Sequence, residues 1–145
     1  MSMAVDRLFV DTWAWLVLAN DRDPAFANVS RIRAGAAGRS GAWVTTDYVL
    51  DETLTRLFAA APFAAARRFV DGIFEASRQG LLDIEQVTAE RFSRAWRLRL
   101  RYDHKPRISF TDLTSFVVMR ELGIYRVLTG DAHFEQVGLG FIQPP

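Results

Sequence analysis

The sequence predicts an α/β fold in which helices cover both faces of a parallel sheet. Short apolar runs suited to buried strands alternate with longer segments of helical periodicity, and turn-forming residues separate the two kinds of segment. Strands that alternate with helices imply βαβ units and therefore a three-layer α/β/α arrangement. At 145 residues the chain fits one domain, 1–145, with a hydrophobic core of its own.

The strands are predicted from apolar runs bounded by turn residues. They lie at about 7–10, 42–45, 81–87 and 125–129, with a last short strand in the tail 134–142. The run at 81–87 alternates apolar and polar residues, which is typical of a strand exposed on one face. The other runs are mostly apolar, as expected of strands covered on both faces.

The helices are predicted from apolar spacing and from residues that start or stop a helix. They lie at about 12–19, 24–37, 47–61, 63–78, 88–102 and 109–122, followed by a single helical turn in the tail. Pro24 and Thr88 suit helix starts. Pro62, Gly80 and Gly123 suit helix ends.

The composition excludes several classes of protein. There is no cysteine, which excludes a disulfide framework and a thiolate metal site. No secretory leader is recognisable and no apolar run approaches the roughly 18 residues that span a bilayer, so we expect a cytoplasmic protein without a membrane partner. The net charge of +1, from 18 basic and 17 acidic residues, does not by itself indicate a nucleic-acid binder.

Two aspartates directly follow predicted strands. Asp11 ends the first apolar run and Asp131 follows the run at 125–129. The carboxyl ends of parallel strands meet at one edge of the sheet, where open α/β folds present groups to ligands, so these carboxylates are expected at the same edge. Each alone could equally be a helix cap or a turn former.

Two further positions could add a carboxylate to this edge. Asp112 lies in a strongly apolar helix, although Ser109-x-x-Asp112 also matches a capping box. Periodicity does not choose between Asp51 and Glu52, and it places Glu52 opposite the Leu50/Leu54/Leu57 stripe, where a solvated glutamate is expected.

Converging carboxylates require a cation. Two of them about 5 Å apart repel by roughly 3 kcal/mol at an effective dielectric of about 20, so a cluster must be protonated or must hold a cation. An all-oxygen donor set selects Mg²⁺ or Mn²⁺ rather than zinc. Such an ion at a sheet edge suits phosphoryl chemistry.

The four acids stand in sequence contexts that resemble those of the PIN-domain nucleases, and especially of the VapC-type toxins. The contexts are VDTW at Asp11, DYVLDET at Glu52, SFTDLTSFVVM at Asp112 and LTGDAHF at Asp131. The resemblance covers essentially the whole chain. It implies a parallel sheet of five strands and a Mg²⁺- or Mn²⁺-dependent site that hydrolyses RNA to 3′-hydroxyl and 5′-phosphate ends. It also selects Glu52 over Asp51, with Thr12 and Thr129 as supporting hydroxyls.

The remaining expectations concern partners. Arginines of the helix from Thr88, in particular Arg94, Arg97 and Arg101, are candidates for RNA phosphate contacts or for a partner surface. The apolar residues of the same helix, Phe92, Trp96 and Leu100, are expected to be buried. Trp13, Trp15 and Trp43 are expected in the core or in a dimer contact. In the resembled toxins, apolar surfaces such as the first helix and the hairpin around Pro62 serve homodimerisation and capture of an antitoxin.

The same sequence allows two other functions. A phosphatase with an aspartyl intermediate would need a second acid two residues after Asp11, where Trp13 stands. A non-catalytic module of the same fold that binds RNA or protein is disfavoured because all four acids are present. His133 could ligate a metal, but a histidine packed in a turn is the favoured interpretation.

Overall fold

The computed structural model describes residues 7–36, 39–130 and 133–136. Within them, four strands form one sheet in the order β3-β2-β1-β4, and every neighbouring pair is parallel. The strands are β1 Leu8–Val10, β2 Trp43–Thr46, β3 Leu82–Glu85 and β4 Arg126–Leu128. The parallel α/β sheet predicted from the sequence is thus confirmed with four strands. Most of the tail that was expected to supply a fifth strand lies outside the described residues.

Helices fill the connections between strands, at bounds close to those predicted. They are α1 Thr12–Leu18, α2 Phe26–Gly35, α3 Asp47–Ala60, α4 Phe63–Arg78, α5 Ala89–Arg101, α6 Phe110–Leu122 and α7 His133–Gln136. Thr88 caps α5 by accepting from the Arg91 amide, and Gly123 ends α6 in the left-handed conformation at φ 67°. No helix in the described ranges is long and apolar enough to cross a membrane.

The core lies on both sides of the two central strands. All residues of β1 and β2 are buried, although successive side chains of a strand point to opposite faces. Both faces of the sheet are therefore covered at these strands. Helix α6 is buried over 112–119, where it packs Phe116 against Phe134 at 4.8 Å between ring centroids. A helix that is apolar on most sides belongs inside the core, and α6 brings Asp112 there with it.

One expectation from the sequence is wrong for helix α5. Phe92, Trp96 and Leu100, which were expected to be buried, are 47%, 53% and 58% exposed. The helix buries Ala95 and Leu98 instead, and Tyr102 follows them into the core. Helix α6 packs closely on α5, and only the face of α5 with the small Ala95 side chain allows so short a distance between the two helices. The three large side chains therefore point outward.

Candidate functional site

Asp11 lies at the carboxyl end of β1 with only 6% of its surface exposed. It occupies the N-cap position of α1, but its side chain makes no capping hydrogen bond to the described part of that helix. Instead, the Thr129 hydroxyl donates to Asp11 Oδ2 at 2.7 Å. Pairing of β1 with β4 sets Val10 level with Leu128, so the residues that follow these strands lie side by side. The Asp11 carboxylate is therefore oriented by the neighbouring strand, and the cap interpretation is wrong.

Glu52 reaches toward the same end of α1. The Thr12 hydroxyl lies 3.4 Å from Glu52 Oε2 and 3.3 Å from the Val49 carbonyl oxygen, so it is shared between the two acceptors. The Glu52 side chain is 40% exposed and also lies 3.9 Å from the Arg56 guanidinium. Asp51, by contrast, is exposed. Glu52 therefore sits at the rim of the site beside the residue that follows Asp11, and is not the fully solvated glutamate that periodicity predicted.

Thr53 is a buried polar residue near the site that sequence reasoning missed. Its hydroxyl donates to the Val49 carbonyl at 2.8 Å and lies 3.3 Å from Thr12 Oγ1. Val49 and Thr53 are four residues apart and both are fully buried, so α3 has a second buried row beside the leucine stripe. That spacing was the available signal.

Asp112 lies in the first turn of α6 and is 6% exposed. Its amide donates to Ser109 Oγ at 3.0 Å, which confirms that Ser109 caps the helix. Its carboxylate lies 4.0 Å from His133 Nδ1, a distance at which a protonated imidazole would attract it. His133 is the first residue of α7, so the start of this helix lies close to Asp112.

Asp131 lies outside the described residues, but the residue before it is described. Gly130 is packed so closely against the Trp13 ring that a Cβ at this position would lie 2.7 Å from Trp13 Cδ1. Trp13 follows Asp11 by two residues, at the position where the phosphatase alternative required an acid. It contacts the end of the β4 segment instead.

The donor set suits a hard divalent cation, although the full metal site stays a prediction. Asp11, Glu52 and Asp112 offer carboxylate oxygens, which Mg²⁺ and Mn²⁺ prefer. Asp11 and Asp112 are buried, where an ionised carboxylate needs compensation. Within the described ranges, no group of three acidic, histidine or cysteine side chains forms a candidate metal cluster. Asp11, Glu52 and Asp112, the described acids, therefore do not form such a cluster by themselves.

The arginines of α5 divide into engaged and exposed groups. Arg91 contacts Glu85 and Glu121, and Arg94 contacts Glu90 and Glu121. Burial lowers the pKa of Arg91, but the carboxylates of Glu121 and Glu85 outweigh this effect and raise the pKa above its ordinary value.

Arg97 and Arg101 are exposed, and neither makes an ion pair with any residue in the described part of the chain. Of the three arginines predicted to contact RNA, these two are the ones available to a ligand.

The chain matches the PIN domain family model over residues 8–139. It therefore belongs to the PIN domain family, as the contexts of the four acids indicated. Its VapC-type character is confirmed by 32% identity over 142 residues to the 23S rRNA-specific endonuclease VapC20 of Mycobacterium tuberculosis, which spans 94% of this chain and 98% of that protein.

Solved structures agree with this assignment. The crystal structure of M. tuberculosis VapC20, a toxin that cleaves the sarcin-ricin loop, is 31% identical and superposes with a TM-score of 0.77 over 94% of this chain and 99% of that one. The VapBC2 structure from Rickettsia felis, solved with a promoter DNA fragment, superposes at 0.68 with 17% identity, covering 94% and 96% of the two chains. The latter likeness bears on the fold alone.

Proposed function

We propose that this protein is a metal-dependent endoribonuclease, the toxin of a toxin–antitoxin pair, that hydrolyses RNA to 3′-hydroxyl and 5′-phosphate ends. The observation that carries the proposal is Asp11: a buried carboxylate at a strand end, held by Thr129 and not used as a helix cap. The 32% identity to a 23S rRNA endonuclease over nearly the whole chain supports the same activity. Ribosomal RNA in the cytoplasm is therefore the first substrate to test.

In this proposal Asp11 and Asp112 are the central ligands of the ion, and Glu52 and Asp131 complete the site. A bound Mg²⁺ or Mn²⁺ supplies Lewis acidity to the phosphate and makes a water molecule more acidic. The Thr129 hydroxyl fixes the direction of one Asp11 oxygen. The Thr12 hydroxyl does the same for Glu52, and buried Thr53 lies against Thr12.

The substrate needs positive charge beside this acidic centre. We assign that role to the exposed guanidinium groups of Arg97 and Arg101, with Arg94 as a weaker contributor because Glu90 and Glu121 already neutralise it. Phosphate contacts of this kind position RNA without reading its sequence.

The cognate antitoxin is proposed to bind an apolar groove on the other helices. A cavity of about 590 Å³ opens among α1, α2 and α4, lined by Trp15, Leu18, Phe26 and Phe69, with Arg33 and Arg68 also in its wall. An amphipathic antitoxin segment with apolar anchors and an acidic group would fit the apolar lining and the two arginines. We also propose that the toxin acts as a homodimer.

The test is cleavage of purified ribosomal RNA by the full chain with Mg²⁺, with Mn²⁺ or with a chelator. We expect cleavage only with metal, loss of at least about 100-fold in rate in Asp11→Asn, and parental activity in Asp71→Asn, an exposed acid on α4. Products should carry 5′-phosphates. If parent and Asp11→Asn leave ribosomal and total RNA equally intact under every metal condition, the nuclease assignment fails and the non-catalytic binding module takes its place.

A further inference from the structure

Two buried threonine hydroxyls lie side by side where α1 meets α3. Thr12 is the first residue of α1 and Thr53 lies on α3, and their Oγ1 atoms are 3.3 Å apart. Thr12 is 3% exposed and Thr53 is fully buried, so both hydroxyls need partners within the protein. Among the described residues the pair has two further acceptors, the Val49 carbonyl oxygen and Glu52 Oε2.

The Val49 carbonyl is occupied by Thr53. The Thr53 hydroxyl donates to it at 2.8 Å, whereas the three other distances among these groups are 3.3 to 3.4 Å. Within α3 the same carbonyl also accepts the Thr53 amide, because the two residues are four positions apart in a regular helix. A carbonyl oxygen has two lone pairs, so these two donors fill it.

The single proton of the Thr12 hydroxyl is therefore left to Glu52. Thr12 Oγ1 lies 3.3 Å from the Val49 oxygen and 3.4 Å from Glu52 Oε2, so distance alone does not choose between them. With the carbonyl filled, the carboxylate is the acceptor that remains. It also accepts a stronger hydrogen bond than the neutral Thr53 hydroxyl does, because it is ionised.

We propose that Thr53 is a positioning residue of the acidic site, which occupies the Val49 carbonyl and so keeps the Thr12 hydroxyl proton on Glu52. The inference rests on the proposed function, in which Glu52 is a ligand of the ion. Glu52 needs such a donor because its side chain is 40% exposed and the Arg56 guanidinium lies 3.9 Å from its other oxygen, Oε1. A carboxylate with a fixed donor on one oxygen keeps one orientation.

Packing alone does not explain a hydroxyl at position 53. The Val49 carbonyl already has its helical partner in the Thr53 amide, so it needs no second donor. Valine is β-branched like threonine and would fill the same buried position without a polar group to satisfy. The hydroxyl is useful because of its effect on Thr12.

Calorimetric titration of the full chain with Mn²⁺ tests the proposal. Thr53→Val frees a lone pair of the Val49 carbonyl, to which the Thr12 proton then turns, and Mn²⁺ affinity should fall by about 5- to 20-fold. Thr53→Ser keeps the hydroxyl and should stay within about threefold of the parent. Thr55→Val is the matched control, expected within about twofold, because the Thr55 hydroxyl makes the same kind of bond on the exposed side of α3.

A double-mutant cycle separates positioning from a structural role. Thr12→Val removes the proton that Thr53 directs, so in that background Thr53→Val should change Mn²⁺ affinity by less than about twofold. Thr53→Ala also lacks the hydroxyl and should repeat the loss, which keeps the test independent of the folding of one variant. An equal loss with and without the Thr12 hydroxyl, or parental affinity in a folded Thr53→Val, overturns the proposal.

Crystal structures of the metal-free parent and of metal-free Thr53→Val distinguish this proposal from the nuclease assignment. In the variant, Thr12 Oγ1 should approach the Val49 oxygen to about 2.8 Å and move away from Glu52. Unchanged distances from Thr12 to both acceptors would show that Thr53 does not direct its proton. If the parent binds no Mn²⁺ but Thr12 shifts in this way, the metal-dependent function fails while the positioning of Glu52 is supported.

Discussion

The Thr129 hydroxyl donates a 2.7 Å hydrogen bond to the Asp11 carboxylate, across 118 positions of sequence. Both groups are buried at the ends of adjacent parallel strands. A buried carboxylate that accepts a hydrogen bond from a fixed hydroxyl has one defined orientation, and this is what a metal ligand requires. The bond therefore links the strand pairing of the fold to the chemistry proposed for its edge.

Removing this hydroxyl is expected to weaken metal binding. Thr129→Val keeps the shape of the side chain but removes the hydroxyl that donates to Asp11, and we expect Mn²⁺ affinity to fall by about 10- to 100-fold. Thr129→Ser retains the donor and should stay within about threefold of the parent. Calorimetric titration of the full chain with Mn²⁺ measures both constants.

Thr55→Val is the control for this titration. Its hydroxyl donates to the Asp51 carbonyl on the exposed side of α3, so its loss should not affect the ion. Equal Mn²⁺ affinity in the parent and in Thr129→Val would contradict the proposed role of the Thr129–Asp11 bond.

A second prediction separates two acids that are neighbours in sequence. Glu52→Gln should reduce the rate of RNA cleavage by at least about tenfold, because Glu52 lies beside Thr12 at the rim of the site. Asp51→Asn should leave the rate within about twofold, because Asp51 is exposed and points about 100° away from Glu52 around α3. Initial rates on the same RNA compare them, and the reverse ranking would show that the acid at this position was assigned wrongly.

Local sequence signals were sufficient to predict the helices and strands and the positions of two of the acids within them. Thr88, Ser109 and Gly123 mark helix ends by chemistry that involves only nearby backbone groups, so these bounds were predicted closely. Asp11 lies at a strand end and Asp112 in a buried helix as predicted, because both features are recognisable from apolar patterns, while their role as metal ligands stays a prediction.

Contacts between distant residues were not predictable in this way. Glu52 is held near the site by Thr12, 40 positions away, and helical periodicity contains no information about that contact. On α5, periodicity identified an apolar stripe but could not say which face α6 would cover. The answer depends on Ala95, whose small side chain admits α6, and on Glu121, which binds Arg91 and Arg94 from across the helix pair.

The Arg91 contacts are expected to stabilise the fold. Its guanidinium donates to Glu121 at 2.8 Å, to the Gln86 carbonyl at 2.7 Å and to Glu85 at 3.1 Å, so it joins α6 to the edge strand β3. Arg91→Ala removes these three hydrogen bonds, although Arg94 still contacts Glu121, and should lower the free energy of unfolding by roughly 2 kcal/mol. Arg91→Lys should recover only part of this, because an ammonium group does not reproduce the fork.

Urea denaturation measures both changes, with Arg97→Ala as the control. Arg97 lies on the same helix but makes no ion pair within the described ranges, so its loss should change the free energy by less than about 0.5 kcal/mol. Similar losses in Arg91→Ala and Arg97→Ala would show that the effect is one of helix composition and not of these contacts.

The close contact between Trp13 and Gly130 predicts that substitutions at these two positions beside the site have coupled effects on stability. Gly130→Ala would place a Cβ 2.7 Å from the Trp13 ring, so either the ring or the segment that leads to Asp131 must shift. We expect a loss of about 1–3 kcal/mol in the free energy of unfolding, together with weaker metal binding, because Trp13 also lies two residues from Asp11. Urea denaturation and Mn²⁺ titration measure the two effects.

A double-mutant cycle shows whether the clash with the Trp13 ring causes the loss of stability in Gly130→Ala. In a Trp13→Ala background the same Gly130→Ala change should cost less than about 0.5 kcal/mol, since the ring that obstructs the methyl group is gone. Gly72→Ala is the control for glycine replacement: a Cβ there meets nothing within 4 Å, and alanine should raise the free energy of unfolding by about 0.5–1 kcal/mol. An equal cost of Gly130→Ala with and without the Trp13 ring would place the strain in the backbone, and Trp13 would then have no part in positioning the end of β4.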